Sequence, residues 1–302
     1  MNPILKYLSG DPRRMGIILE KRDENETVPA DLDIFFDVPY TGKDANPLHA
    51  DIYRQKNRNQ LPVIIMIHGG GLYLGKTRSS KPIGEFYARH GYLTAIISYR
   101  LLQETDGISI ISDIIAGYNY VYEHISEYGG DPEKVFVTGE SAGAFLAIMA
   151  TAASGSQKLA TTLELEPPKL KISALAFFSG MIYTNRFDPM GLVYRHDLYG
   201  NKARSKDFLK LIDPEESEIA DNLPPLMLTS SKGDFLKNYT LRYEKFLRLY
   251  GKNPLLLYYP DKDLLHAFPI VSFSRKESKE VHAEVIDFFN QHGGLSSAVW
   301  FR

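Results

Sequence analysis

Gly139-Glu140-Ser141-Ala142-Gly143 follows the apolar run Val135–Thr138 and precedes an alanine-rich stretch from Ser141. A strand that turns sharply into a helix would hold Ser141 in a strained backbone conformation and lift its hydroxyl above the sheet. Glycine at 139 and 143 suits a turn with no room for side chains on either flank. The same turn aims the first N–H groups of the helix, that of Ala142 among them, at any anion formed beside the serine. A serine here could instead be a simple helix N-cap, and the pentapeptide alone is weak evidence. Its place between strand and helix favours a nucleophile.

His68-Gly69-Gly70-Gly71 comes directly after a second apolar run, Val63–Ile67. Successive glycines let backbone N–H groups face a ligand with no Cβ in the way. Acyl transfer needs such donors where a carbonyl oxygen becomes an oxyanion, and one donor supports roughly 10²–10³ in rate. Gly70 and Gly71, with the N–H of Ala142, are the expected oxyanion hole. A phosphate-cradling loop is the alternative, but no Lys-Ser/Thr closes the glycines. His68 and Gly69 are read as structural parts of this loop, as Gly139 and Gly143 are of the serine turn.

A serine on such a turn needs a base, and the base needs an acid, in the chain order serine, acid, histidine. Four histidines follow Ser141: His196, His266, His282 and His292. His282 and His292 fall in a final helical pattern, and His196 precedes the best acid. His266 lies just past the apolar run Leu255–Tyr259, where ligand groups collect at the carboxyl ends of strands; it is the expected base. Asp234 follows the run Leu226–Ser230 by a short loop and is the expected acid, with helix capping at Phe235 as its alternative role. Asp261 and Asp263 are the runners-up.

The elements that must position these groups are legible as alternation. Ile34–Val38 and Leu48–Tyr53 read as an antiparallel pair joined by a turn-rich segment. Val63–Ile67, Leu93–Ser98, Val135–Thr138, Ile172–Ser179, Leu226–Ser230 and Leu255–Tyr259 read as strands covered on both faces. Between them, helices are expected over Pro82–His90, Ile108–Tyr128, from Ser141, over Phe235–Tyr250 and over Lys276–His292. In the long one, Ile108, Ile111, Ile115, Tyr118, Tyr122 and Ile125 mark one face. This is an α/β chain with a mostly parallel sheet flanked by helices. Residues 1–302 read as a single domain. Residues 181–223 separate two strands by over forty residues, carry Tyr183, Phe187, Tyr194, Tyr199 and Phe208, and read as an inserted cap rather than a longer helical crossover. Residues 1–30 are an N-terminal segment that could contribute to that cap. Arg100 is expected to pair with Asp113.

Composition narrows the function. The 302 residues carry 35 Lys+Arg and 37 Asp+Glu, a net charge of −2, so nothing builds the basic footprint of a nucleic-acid binder. The hydrophobic fraction of 44% argues against disorder. With no cysteine, disulfides and thiolate zinc sites are excluded. The first residues lack the apolar core of a signal peptide, and no apolar run reaches the roughly 18–20 residues of a membrane span, so a cytoplasmic location is expected. No metal-ligand spacing occurs and no cofactor is required. The expected partner is a small-molecule ester, with neither nucleic acid nor membrane; a homodimer is left open, and the apolar tail Ala298–Phe301 could dock on the domain or a partner.

Taken in order, His68-Gly69-Gly70-Gly71, Tyr99-Arg100-Leu101, Gly139–Gly143, the Asp234 loop and the His266 loop resemble the hormone-sensitive-lipase-like branch of α/β-hydrolase esterases. The resemblance runs from about Leu48 to His292. It implies an eight-stranded sheet, a Ser141-Asp234-His266 triad, an oxyanion hole from Gly70, Gly71 and Ala142, and hydrolysis of short-acyl carboxylic esters through an acyl-enzyme. The chain departs from the family in three places: Tyr-Arg-Leu, commonly followed by Ala-Pro-Glu, continues here as Leu102-Gln103-Glu104; Ala144 stands where the family has glycine; and the N-terminal segment is short for a two-part cap. An amidase or arylformamidase-like activity on the same triad, or an inactive binding protein of this fold, are the competing readings.

Overall fold

The structure is a computed structural model and describes residues 27–41 and 47–295. The strands are β1 Leu32–Pro39, β2 His49–Gln55, β3 Leu61–Ile67, β4 Leu93–Ile97, β5 Gly130–Glu140, β6 Ile172–Phe178, β7 Leu226–Ser231 and β8 Leu255–Tyr259. The helices are α1 Lys81–Arg89, α2 Gly107–His124, α3 Ala142–Ala152, α4 Gln157–Thr162, α5 Pro189–Tyr199, α6 Lys206–Leu211, α7 Ser217–Ala220, α8 Lys237–Leu249, α9 Phe268–Val271 and α10 Lys276–His292.

The strands β1 to β8 form one sheet in the order β1-β2-β4-β3-β5-β6-β7-β8. β1 pairs antiparallel with β2, and β2 antiparallel with β4; from β4 to β8 every pairing is parallel. The architecture is therefore the mostly parallel sheet expected from the alternation, with the eight strands that the family resemblance implies. β3 is buried at all seven positions, as a strand flanked on both sides and covered on both faces must be. Side chains alternate across it. Ile65 and Ile67 enter one core with Val137, Phe177, α2 and α3. Ile64 and Met66 enter another with Phe136, Phe178, α1 and α10. Phe177 and Phe178 are sheet core, one on each side.

Register puts the chemistry at one end. Ile67 lies beside Ile97 and beside Gly139, and Glu140 beside Phe178. The segments that follow β3, β5, β7 and β8 therefore emerge together at the carboxyl edge. α3 grows from that edge into the core, and all eleven of its residues are buried. Each large apolar side chain it buries, such as Phe145 or Ile148, stabilises the fold by roughly 1.5–3 kcal/mol.

Several expectations need correction. Tyr122 is 42% exposed and Ile108 is half-buried, while Ile110, Ile114 and Val121 join the buried face of α2. The helix packs on the sheet and on α3 at once, so its buried arc is wider and rotated from the one a single contact would select. It also ends at His124; Ile125–Tyr128 is a 3₁₀ turn, stopped by Gly129 in the left-handed region. β5 begins at Gly130 because that residue pairs with Leu61 across an irregularity. α8 starts at Lys237 rather than Phe235, since Asp234 holds the Leu236 N–H in a turn before the helix. The segment 181–223 contains three short helices, α5 to α7, and a 3₁₀ turn. Tyr183, Tyr194, Tyr199 and Phe208 are buried in it, whereas Phe187 is 80% exposed. The expected readings on residues 1–26, on 42–46 of the first turn and on the tail Ala298–Phe301 lie outside the described residues.

Candidate active site

Ser141 sits between β5 and α3 with φ 49° and ψ −112°, a positive φ that a side chain other than glycine adopts at a cost of about 1–3 kcal/mol. Its neighbours impose that conformation. The Ser141 N–H donates to the Phe178 carbonyl at 2.9 Å, and its own carbonyl accepts from Met181 N–H at 2.8 Å. A Cβ on Gly139 would lie 2.8 Å from the Ala144 backbone, and one on Gly143 would lie 2.2 Å from the Ile67 carbonyl oxygen. Both positions thus exclude any larger residue. The serine side chain makes no capping bond to α3, so the N-cap alternative does not hold.

Its hydroxyl points to His266, with Oγ 2.9 Å from Nε2. On the other side of the ring, Nδ1 lies 2.7 Å from Oδ1 of Asp234. An ionised carboxylate only accepts, so Nδ1 carries the proton and Nε2 is left to accept from the serine hydroxyl. All three residues are buried, Asp234 completely. Burial alone would raise the Asp234 carboxyl. The hydrogen bond from His266, the Ser230 hydroxyl at 2.7 Å and the Leu236 N–H at 2.8 Å outweigh it and hold the group below its ordinary value.

The two loops that carry Asp234 and His266 are packed against each other. A Cβ on Gly233 would fall 2.1 Å from the Lys262 carbonyl oxygen, and the Ser231 hydroxyl donates to the Leu264 carbonyl. Directly after His266, Ala267 takes a left-handed φ of 55° and donates its N–H to the Ser179 hydroxyl at 2.9 Å. Phe235 lies against the imidazole with ring centres 4.3 Å apart. The sequence alone does not point to Ser179, Ser230 or Phe235 as site residues: short polar residues and aromatics near strand ends are too common to carry a signal.

The glycine loop closes the fourth side. Gly70 and Gly71 have φ 106° and 62°, which admit glycine readily. Among the described residues, the N–H groups of Gly70, Gly71 and Ala142 donate to no protein acceptor. His68 makes no hydrogen bond to the serine. Its Nδ1–H donates to the Gly69 carbonyl at 2.8 Å, its ring stacks on Tyr99 at 4.3 Å, and burial lowers its pKa to about 4. Tyr99 in turn donates to the His68 carbonyl at 2.8 Å. This histidine is a strut of the loop.

The remaining candidates lie elsewhere. His196 is exposed beside Asp197. His282 is buried between the Tyr87 hydroxyl and the Pro269 carbonyl, and His292 packs on Phe288. Asp261 is exposed and accepts from the Asp263 N–H, so neither runner-up reaches the imidazole. Arg100 forms its expected pair with Asp113, at 2.6 Å, and ties the end of β4 to α2. Among the described residues, no cluster of three or more His, Cys, Asp or Glu could hold a metal ion, and no helix is long and apolar enough to cross a membrane.

The sequence model of the BD-FAE family matches residues 50–240, more than half the chain and inclusive of both glycine motifs and Asp234. The chain belongs to the BD-FAE family. Membership agrees with the resemblance to hormone-sensitive-lipase-like α/β-hydrolases that the motifs carry. Among its relatives, this BD-FAE chain is 25% identical over 271 residues to a "probable carboxylic ester hydrolase LipM" of Mycobacterium tuberculosis, an alignment covering 85% of the chain and 62% of the relative. It is 25% identical over 198 residues to the isoprenylcysteine alpha-carbonyl methylesterase ICME of Arabidopsis thaliana, covering 61% of the chain and 45% of the relative. The chain therefore spans about half the length of these curated relatives. In fold, it is similar to esterase B from Lactobacillus rhamnosis, with a TM-score of 0.79 and 22% identity over 89% of each chain. A bacterial heroin esterase gives a TM-score of 0.70 at 20% identity, over 93% of this chain and 89% of that one.

Proposed function

We propose that the chain is a serine hydrolase that cleaves short-acyl carboxylic esters of small molecules. One observation carries the reading: an unbroken relay from Ser141 Oγ through the His266 ring to a fully buried Asp234 carboxylate, at 2.9 and 2.7 Å. The names of the relatives, an ester hydrolase and a methylesterase, support an ester as the bond cleaved.

In this reading His266 Nε2 takes the serine proton as Oγ attacks the ester carbonyl. The negative charge that forms on the carbonyl oxygen is met by the N–H groups of Gly70, Gly71 and Ala142. Asp234 holds the ring tautomer and offsets the imidazolium charge. The imidazolium then protonates the departing alcohol, leaving an acyl-serine. Water, activated by the same imidazole, adds to the acyl group and releases the acid. The proton cycle closes on His266, and the protein's own side chains and amides carry every step. Residues 181–223 act as a cap over this crevice: the Tyr194 hydroxyl on α5 reaches the glycine loop, filling the space beside Gly71. The several aromatics of residues 181–223 favour short acyl groups, acetyl to butyryl, as the acid part of the substrate.

Ser141→Ala tests the reading. Turnover of a short p-nitrophenyl ester is expected to fall by about 10⁵–10⁶ with the fold intact, and a fluorophosphonate probe is expected to label the wild-type serine and not the variant. Substantial turnover by the variant, or an unlabelled wild type, overturns it.

A further inference from the structure

We infer that Tyr194 is a further catalytic residue, its hydroxyl donating a hydrogen bond to the same acyl oxygen that the Gly70 and Gly71 amides serve. The inference rests on the hydrolase reading above and assigns one more group to that site.

Position is the first argument. The Tyr194 hydroxyl lies 2.5 Å from the point a Cβ on Gly71 would occupy. Nitrogen and Cβ of one residue are about 2.5 Å apart, so the hydroxyl is within about 5 Å of the Gly71 nitrogen. Two donors at that separation can share one acceptor with each bond near about 2.8 Å.

The second argument is what this hydroxyl lacks. Tyr194 is 4% exposed, yet among the described residues its hydroxyl has no hydrogen-bond partner. The other buried phenols nearby are engaged: Tyr73 donates to Asp197, Tyr99 to the His68 carbonyl, and Tyr199 meets the Thr184 hydroxyl. The oxygen itself is not sealed from solvent, so an incoming acceptor can reach it. Here the free donor faces the glycine loop, where the Gly70 and Gly71 amides are also free among the described residues.

Rigidity is the third. Helix α5 is pinned on both sides of the crevice. The Tyr73 hydroxyl, on the glycine loop, donates to Asp197 at 2.5 Å, and the Tyr239 hydroxyl, on α8 beside the acid loop, donates to Asp188 at 2.6 Å. Donors fixed before charge develops cost no reorganisation when it does. Burial, with the charge of Asp197 nearby, raises the Tyr194 phenol above its ordinary value, so the group stays protonated and able to donate. It gives no proton away; it only hydrogen-bonds.

Tyr194→Phe keeps the ring and removes a hydroxyl on which no group among the described residues depends, so the variant is expected to fold with an unchanged melting midpoint. For a short p-nitrophenyl ester, kcat and kcat/KM are expected to fall together by about 10- to 100-fold with KM within twofold, as for a contact made only in the transition state. The same fold-loss in kcat/KM is expected for aryl and alkyl acetates alike, because the acyl oxygen is common to all. A kcat within twofold of wild type, a loss confined to KM, or a loss that grows with the basicity of the leaving alcohol each overturns the assignment. Fluorophosphonate labelling of the wild type keeps the two readings apart. A labelled wild type with an unaffected Tyr194→Phe defeats this inference alone, whereas an unlabelled wild type defeats the hydrolase reading beneath it.

Discussion

Asp234 shows what one side chain must do at this site. It is buried and surrounded by three donors, the His266 ring, the Ser230 hydroxyl and the Leu236 N–H. Asparagine would fit the space but present an amide that can donate to the ring. His266 could then carry its proton on Nε2, where it no longer accepts from Ser141. In serine-protease triads the same change costs about 10⁴ in kcat, and a loss of that order is expected for Asp234→Asn at neutral pH. Steady-state kinetics on a short aryl ester checks it; a loss below about tenfold would remove Asp234 from the relay. The contrast with His68 makes the same point. Both histidines are buried, but one has a carboxylate on its far nitrogen and the other only the adjacent carbonyl.

At the level of elements, the crossing of β3 and α3 is a tight joint. A methyl group on Gly143 would sit 2.2 Å from the Ile67 carbonyl oxygen, and backbone cannot rotate away as a side chain can. Gly143→Ala must therefore push the serine turn and the glycine loop apart. It is expected to destabilise the fold by about 1–3 kcal/mol, as overpacking does, and to lose most ester turnover; a wild-type melt with wild-type rate would contradict this. That joint is legible in the sequence because paired glycines flanking a serine, just after an apolar strand, have little use except a crowded turn. β8 is legible to the residue as an apolar run between Pro254 and Pro260, and α10 from its apolar stripe and the Gly293 that follows it. The three residues of the relay can be named because chain order and strand ends leave few choices. The helices of 181–223 cannot, since α6 and α7 are too short for a periodic stripe to show. Tyr194 looks like one aromatic among several there, as its meaning depends on Gly71, over a hundred residues away in sequence and in contact only once folded.

For the whole molecule, two buried imidazoles set a pH dependence. Burial lowers the pKa of His68 and of His282 from 6.5 to about 4. Both remain neutral in the fold well below the pH at which the unfolded chain protonates them. The unfolded state thus binds more protons between about pH 6.5 and 4, and stability falls as pH drops through that window. Between pH 7 and 5 the loss is about 2 kcal/mol for each group. Urea unfolding at the two pH values is the check, and equal midpoints would refute it. The sheet has a consequence of its own. It acts as a wall between two separate interiors, and the reacting groups are rooted on opposite sides of it. The helix behind Ser141 is anchored in one compartment through Ala142, Ala144 and Leu146. The segment behind His266 is anchored in the other through Phe268 and Ile270. Serine and imidazole meet only where the wall ends. A packing fault in either chamber therefore surfaces at the same 2.9 Å contact, and the rate of the proposed hydrolysis becomes a gauge of how well both halves are filled.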